Sequence, residues 1–368
     1  MKFGVCIAAK VSDIDLIVLA EDLGYDSAWV ADSQMIWSDC YAVLALASQR
    51  TSRIKLGTGV AIAGTRIAPV TAASIATINQ LAPGRTFLSL GTGHTAMRIM
   101  GQDSMPQREF QSYARTVRDL LDGQNTSYTY GGEARDIQFI HQGQGYYQLE
   151  PRIPMHIAAV GPVGQRFAGH VADGLVILGS PNAANTERAL ANVRDGAKRA
   201  GRDLADSFDV TTLTGGCVLE PGEPLTSERV IEDTGAMVTS GLHYLWEVIP
   251  EPRREAPVPP HYQGVWQKYL DFVDAMDTPA ERRYQQVHLG HCSYLVPEET
   301  QFVVPELIKA GSLAGTPEEI VAQVRAAEAA GLTQVMLMAD ERFAPRVLRD
   351  FAEKVFPLLE ERRELVAH

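Results

Sequence analysis

Apolar and polar positions along this chain follow two alternating rhythms. Phe3–Ala8 is a nearly continuous apolar run and predicts a first strand. In Asp13–Leu23, Leu16, Leu19 and Leu23 recur at helical spacing and Gly24 ends the pattern, so a helix is expected there. The exchange repeats. Strands are expected over Ser27–Ala31, Ile54–Val60, Thr86–Leu90, Pro154–Ala159 and Gly174–Leu178. The helices that follow them are expected over Asp39–Gln49, Ala68–Leu81, Gln107–Leu121, Gly164–Val171 and Asn185–Ala200. Phe208–Cys217 reads as the seventh strand and Gln334–Met338 as the eighth, with a last helix across Ala344–Glu364. This order of β/α units fits an α/β fold of the (β/α)8 TIM-barrel type. A doubly wound sheet would usually show GxGxxG after its first strand, and none follows Phe3–Ala8.

Two segments interrupt the rhythm of what reads as a single domain over residues 1–368. Asn125–Glu150, rich in Gly, Tyr and Thr, has a hairpin-like pattern and is expected to be a small insertion. Glu220–Gly315 is the larger one and carries the proline-rich Pro250–Pro260 stretch. Helices are expected in it around Ser227–Val248, His261–Met276 and Val303–Ala310. Springing from the barrel before its last strand, it is a candidate lid or substrate wall. The chain re-enters the barrel pattern at Thr316-Pro-Glu-Glu319, where Thr316, Pro317 and Glu319 spell a capping box with proline at the first helical position.

Charge and cysteine usage narrow the function. The net charge of −12 argues against non-specific nucleic-acid binding, which needs a basic face. The longest apolar stretches are far too short to span a bilayer, and Met1–Ile7 lacks a secretory h-region, so the cytoplasm is the expected location. Cys6, Cys40, Cys217 and Cys292 have no CxxC or metal-ligand spacing and read as buried free thiols.

The richest stretch is residues 54–93. Ile54–Val60 and Thr86–Leu90 are strands that stop at glycine, in Gly57-Thr-Gly59 and Gly91-Thr-Gly93. Glycine at a strand end lets a ligand approach the main chain closely. Two such ends on consecutive strands suggest one mouth of a barrel that accepts a flat, planar cofactor.

With that layout, the chain resembles the bacterial luciferase-like superfamily of flavin- or deazaflavin-dependent oxidoreductases, and within it the branch of F420-dependent methylenetetrahydromethanopterin reductase. The resemblance covers residues 1–217 and 313–360. It is carried by Leu19–Tyr25, Ala28–Asp32, Thr51–Val60, Thr65-Arg66, Ala76-Thr77, Leu81–Arg85, Gly91–Gly93, Ala158–Pro162, Ala168-Gly169 and Ala172–Gly174. It implies a cofactor at the C-terminal ends of the strands, F420 or alternatively FMN, a small organic substrate and a homodimer. It also implies a non-prolyl cis peptide at Gly59–Val60 backing the cofactor ring.

Several residues are candidates for the chemistry. Asp32 ends the second strand; in the resembling F420 enzymes an acid there helps to hold ring or substrate, while the plainer reading is an N-cap. Trp37 stands at the spacing of a pocket tryptophan in the similar F420-dependent glucose-6-phosphate dehydrogenases, with a core tryptophan as the alternative reading. Many relatives have a histidine directly after the acid, but here the residue is Ser33. His94, just past the fourth strand, is then the best-placed imidazole for proton exchange, with a surface or N-cap role as the alternative. Gly91, Thr92 and Gly93, with Ala159 and Val160, are expected along the cofactor. The Gly161 turn and the Gly179-Ser180 turn are candidate donors to its phosphate through unpaired amides. Relatives often continue Gly-Pro-Lys or Gly-Pro-Arg where this chain has Gly161-Pro-Val163, leaving Arg66, Arg98 and Arg166 as other possible cations. His288-x-x-His291 lacks a third ligand at metal spacing, so no metal site is expected. The leading expectation is F420-dependent hydride transfer. Its rivals are a reduced-FMN-dependent monooxygenase and a non-catalytic flavin-binding protein.

Overall fold

The structure is a computed structural model, and it describes residues 1–249, 251–254 and 257–360. Among these residues the strands are β1 (Lys2–Ile7), β2 (Ser27–Val30), β3 (Lys55–Thr58), β4 (Ala61–Ile62), β5 (Thr86–Gly91), β6 (Thr126–Tyr130), β7 (Glu133–Ile137), β8 (Met155–Ala158), β9 (Gly174–Leu178), β10 (Asp209–Val218), β11 (Ser312–Gly315) and β12 (Gln334–Leu337). Ten of them share one sheet, ordered β11-β10-β12-β1-β2-β3-β5-β8-β9 with β4 beside β5, and a further β9–β10 pairing closes the ring. This is the expected (β/α)8 barrel, with β4 and β11 as additions to the eight. Helices separate the strands, and among the described residues no helix is long and apolar enough to cross a membrane.

The chain divides into two compact units, the first made of residues 1–8, 178–184 and 212–368, the second of residues 9–177 and 185–211. The second holds the parallel run β2-β3-β5-β8-β9, in register Ala28↔Leu56, Gly57↔Phe87, Ser89↔His156 and Ile157↔Leu175. All four residues of β2 and all six of β5 are buried. Strands covered on both faces carry apolar runs rather than alternation, as in Thr86-Phe-Leu-Ser-Leu-Gly91. Trp29 packs tilted on Phe87 with ring centroids 4.3 Å apart, and Phe87 stacks on His156 at 5.7 Å. Position 57 is glycine because a Cβ there would lie 2.4 Å from the Phe87 ring. The expected small insertion contains the antiparallel hairpin β6–β7, off the main sheet.

In the first unit β1 pairs with β12 and β10 with β11, both in parallel. The helix Pro317–Ala329 begins with the capping box read from the sequence, Thr316 and Glu319 exchanging side-chain and backbone bonds. Between β10 and β11 lie the helices Glu228–Val248, Trp266–Asp274 and Pro305–Gly311. They enclose their own apolar cluster, with Val230, Leu242, Tyr269, Phe302 and Ile308 at or near zero exposure. The last helix runs as Ala344–Asp350 with a π-helical turn at Phe351–Val355, and residues 361–364 of the expected helix lie outside the described residues. Cys6, Cys40 and Cys217 are buried free thiols as expected, but Cys292 is only half-buried.

Candidate active site

The second unit assembles most of the residues singled out from the sequence. Just past β2, Asp32 is buried at 3% exposure and its carboxylate is fully engaged. It accepts from Gln34 Nε2 at 2.5 Å, from the Ile62 amide at 3.0 Å and from Arg66 Nη1 at 2.8 Å. Arg66 turns its other nitrogen to Asp39 at 2.6 Å. Asp39 in turn caps the helix Cys40–Arg50 through the amides of Tyr41 and Ala42. Burial works to raise the Asp39 pKa, but Arg66 and the two amides hold it below the ordinary value. Asp32 is thus not an N-cap. It braces the segment after β3, and Arg66 is committed to the two aspartates. Arg98 stands 3.4 Å from Asp103.

In front of this brace lies a shelf of small side chains. The Gly59–Val60 peptide is cis, as the resemblance implied. The Gly59 amide bonds to the Val30 carbonyl at 2.7 Å, which ties the bulge to β2. A Cβ at Gly91 would lie 3.0 Å from Val60 Cγ1 and 3.7 Å from Ala158 Cβ. The ends of β3, β5 and β8 therefore bring Val60, Gly91 and Ala158 side by side, and Val60 and Ala158 are only half-buried. Gly93 has φ +71° and a Cβ there would collide with Ile62 Cγ2 at 2.2 Å, so the turn after Thr92 requires glycine. His94 opens the short helix His94–Ile99 and is exposed. Trp37 is half-buried, with its amide bonded to the Ser33 carbonyl.

After β8, Ala159 is half-buried and Val160 is 56% exposed. Gly161 is the N-cap of the helix Pro162–Val171, with open space where its Cβ would be. That first turn offers backbone amides at the positive end of a helix. The helix is seated closely: a Cβ at Gly196 would lie 1.9 Å from the Arg166 carbonyl.

The second expected anion turn belongs to the first unit and is built differently. The Gly179 amide donates to the Leu213 carbonyl and the Ser180 amide to the Ala310 carbonyl, both at 2.9 Å. Ser180 Oγ accepts from Gln323 Nε2 at 2.7 Å. The expectation of open amides is corrected here: both are spent on the protein's own backbone. His288 and His291 pack with His243, and among the described residues no group of three His, Cys, Asp or Glu is arranged to hold a metal ion.

The partners that complete this site escaped the sequence reading. Gln34, Asp39 and Ile62 were not singled out, and Arg66 was read only as an anion partner. No local spacing links Asp32 to a residue 34 positions away. Only the topology, which sets β2 beside β3, brings them together.

Comparison with known proteins places the chain among relatives. F420-dependent glucose-6-phosphate dehydrogenase of Nocardia farcinica is 33% identical over 207 residues, a match taking in 53% of this chain and 61% of that protein. In that match the chain spans less than two thirds of its relative's length. The 5,10-methylenetetrahydromethanopterin reductase of Methanopyrus kandleri is 27% identical over 341 residues, covering 88% of this chain and 87% of that protein. The solved structure of the coenzyme F420-dependent tetrahydromethanopterin reductase of Methanopyrus kandleri superposes with a TM-score of 0.70 at 22% identity, over 97% of this chain and 99% of that one. Residues 1–334 match the model of the family described as luciferase-like monooxygenase, and the chain belongs to that family of oxidoreductases.

Proposed function

We propose that this protein is an oxidoreductase that binds coenzyme F420 and transfers hydride to or from a small organic substrate. The observation that carries the reading is the shelf at the ends of three barrel strands, where half-buried Val60 and Ala158 flank the buried Gly91. A planar tricyclic ring fits such a surface. The open first turn of the helix Pro162–Val171 suits the cofactor's phosphate, which also explains why Gly161 lacks a side chain. When bound, the deazaflavin supplies the two-electron hydride chemistry, and the protein supplies orientation and proton handling. Asp32 would act behind the shelf, fixing the segment that carries Val60 and Ile62. Trp37, Thr92, Gly93 and His94 would border the ring and the substrate.

The family also supports a second reading, a reduced-FMN-dependent monooxygenase, and Gly161-Pro-Val163 lacks the cation that often follows in F420 relatives. Titrating the purified protein separately with F420 and FMN, by absorbance and fluorescence, separates the two. Tighter binding of F420 is expected, and tighter binding of FMN would favour the monooxygenase. Gly91→Leu should weaken ring binding at least tenfold while leaving the circular dichroism spectrum unchanged. A folded Gly91→Leu variant with wild-type affinity would overturn the shelf.

A further inference from the structure

Between β3 and β4 the chain is one residue too long for the strand it runs beside. Gly57 in β3 is opposite Phe87, and Ala61 in β4 is opposite Leu90. The chain takes four steps from 57 to 61 while β5 takes three from 87 to 90. Residues 58–60 thus form a bulge against Leu88 and Ser89. A bulge interrupts the ladder, so backbone groups of the facing strand need other partners. Leu88 sends its amide to the Pro154 carbonyl at 2.9 Å. Ser89 is the residue that faces the interruption.

Thr58 meets both of its backbone groups. The Thr58 hydroxyl accepts from the Ser89 amide at 2.9 Å and donates to the Ser89 carbonyl at 2.8 Å. Both residues are at zero exposure. A hydroxyl is one donor with two acceptor lone pairs, so a single side chain can satisfy an N–H and a C=O together. The excursion is also held elsewhere. The Gly59 amide donates to the Val30 carbonyl at 2.7 Å, the Ile62 amide to Asp32 Oδ2 at 3.0 Å and the Ala63 amide to the Gly91 carbonyl at 3.0 Å. Val60 stands between these fixed points, and its Cγ1 is the atom that a Cβ on Gly91 would meet at 3.0 Å. All of these residues belong to the second unit.

We propose that Thr58 is a positioning residue for the cofactor ring: its hydroxyl replaces the missing rung between β3 and β5 and so holds Val60 in the shelf before any ligand arrives. The proposal rests on the reading of the shelf as the seat of a planar ring, and it applies to a deazaflavin and a flavin alike. Asp32 secures only the far side of the bulge, through Ile62, two residues past Val60. Thr58 secures the near side, two residues before it. A shelf fixed in advance spends none of the binding energy on ordering the chain. Valine matches threonine in shape but has no hydroxyl, whereas serine keeps the hydroxyl and loses a methyl group. The two substitutions therefore separate the bond from the packing.

The test uses the full chain and whichever of F420 and FMN the wild type binds more tightly. Thr58→Val should weaken binding at least tenfold and shift the absorption band of the bound ring. Thr58→Ser should stay within threefold of wild type and keep its band. Glu21→Gln, a change away from the shelf at the entry to β3, should also bind within threefold, which separates the shelf from general stability. Amide exchange without ligand gives a second readout. In the wild type, Gly59, Ile62 and Ser89 should exchange as slowly as Leu88. In Thr58→Val, Gly59 and Ser89 should exchange at least tenfold faster, with Leu88 unchanged. Wild-type affinity in a folded Thr58→Val variant would overturn the proposal, as would an equal loss in Thr58→Ser or Glu21→Gln. If Thr58→Val does not fold, the wild type decides: fast exchange at Gly59, Ile62 and Ser89 that only a ligand suppresses would overturn a shelf fixed in advance. A wild type that binds neither cofactor would instead sink the reading of the shelf, and that failure shows before any substitution is made.

Discussion

Asp32 and Asp39 both hold Arg66, yet they differ in what each would cost to lose. Asp32 is buried, and removing it leaves a largely buried guanidinium with one carboxylate and the Ile62 amide without its acceptor. Asp32→Ala is expected to destabilise by about 3 kcal/mol, the penalty of breaking a buried pair from one side. Asp39 is half-exposed and mainly an N-cap, so Asp39→Ala should cost about 1 kcal/mol. Urea denaturation of the two variants measures both, and equal losses would contradict the unequal brace. The sequence made Asp32 visible, because an acid directly after an apolar strand stands out. Its work was not visible, since the binding partner is set by the pairing of strands and not by any spacing. The same holds for Val60 and Gly91, legible one by one as a strand end and a glycine, while their contact with Ala158 emerges only in three dimensions.

Elements came through from the sequence where their period had room to repeat. The helices Ala68–Leu81 and Gln107–Leu121 have the expected bounds, and Asp15–Asp22, Cys40–Arg50, Pro162–Val171 and Ala183–Arg199 differ from theirs by a residue or two. The two-residue β4 and the six-residue helix His94–Ile99 were missed because each is too short to show a rhythm, and β11, Ser312-Leu-Ala-Gly315, was missed because its small residues do not stand out as an apolar run. Contacts between elements give a second testable statement. Glu21, in the helix Asp15–Asp22, accepts from the amides of Ser52, Arg53 and Ile54 and so fixes the entry to β3. Burial works to raise its pKa, but these donors outweigh it and hold the carboxylate below the ordinary value of 4.5. A depressed folded pKa means stability that is full above the unfolded value and lost as pH falls through the folded one. Glu21→Gln should therefore be less stable than wild type by about 1.5 kcal/mol at pH 7. The gap should close below about pH 4. A gap independent of pH would show that the charge of Glu21 contributes nothing.

For the whole molecule, the barrel and its family were legible from the order of strands, helices and glycine ends, but the character of the large insertion was not. A lid ought to exchange its amides quickly, whereas the helices between β10 and β11 close over a cluster of fully buried side chains. Amide exchange in the unliganded protein is expected to be as slow in Glu228–Val248 and Trp266–Asp274 as in β10, and faster only around residues 289–294. Uniformly fast exchange through these helices would restore the lid. The register of the strands that frame this segment carries a further implication. Gly215 lies opposite Ser312 and Val218 opposite Gly315, so the chain departs and returns on neighbouring, parallel strands. Such a junction works like a socket: what is plugged into it can vary in length and composition while the two contacts on either side stay the same. Closing a longer excursion costs little, since each doubling of its length adds only about 0.6 kcal/mol. Residues 219–311 could thus be exchanged as a cassette while the pairing of β10 with β11 stays as it is.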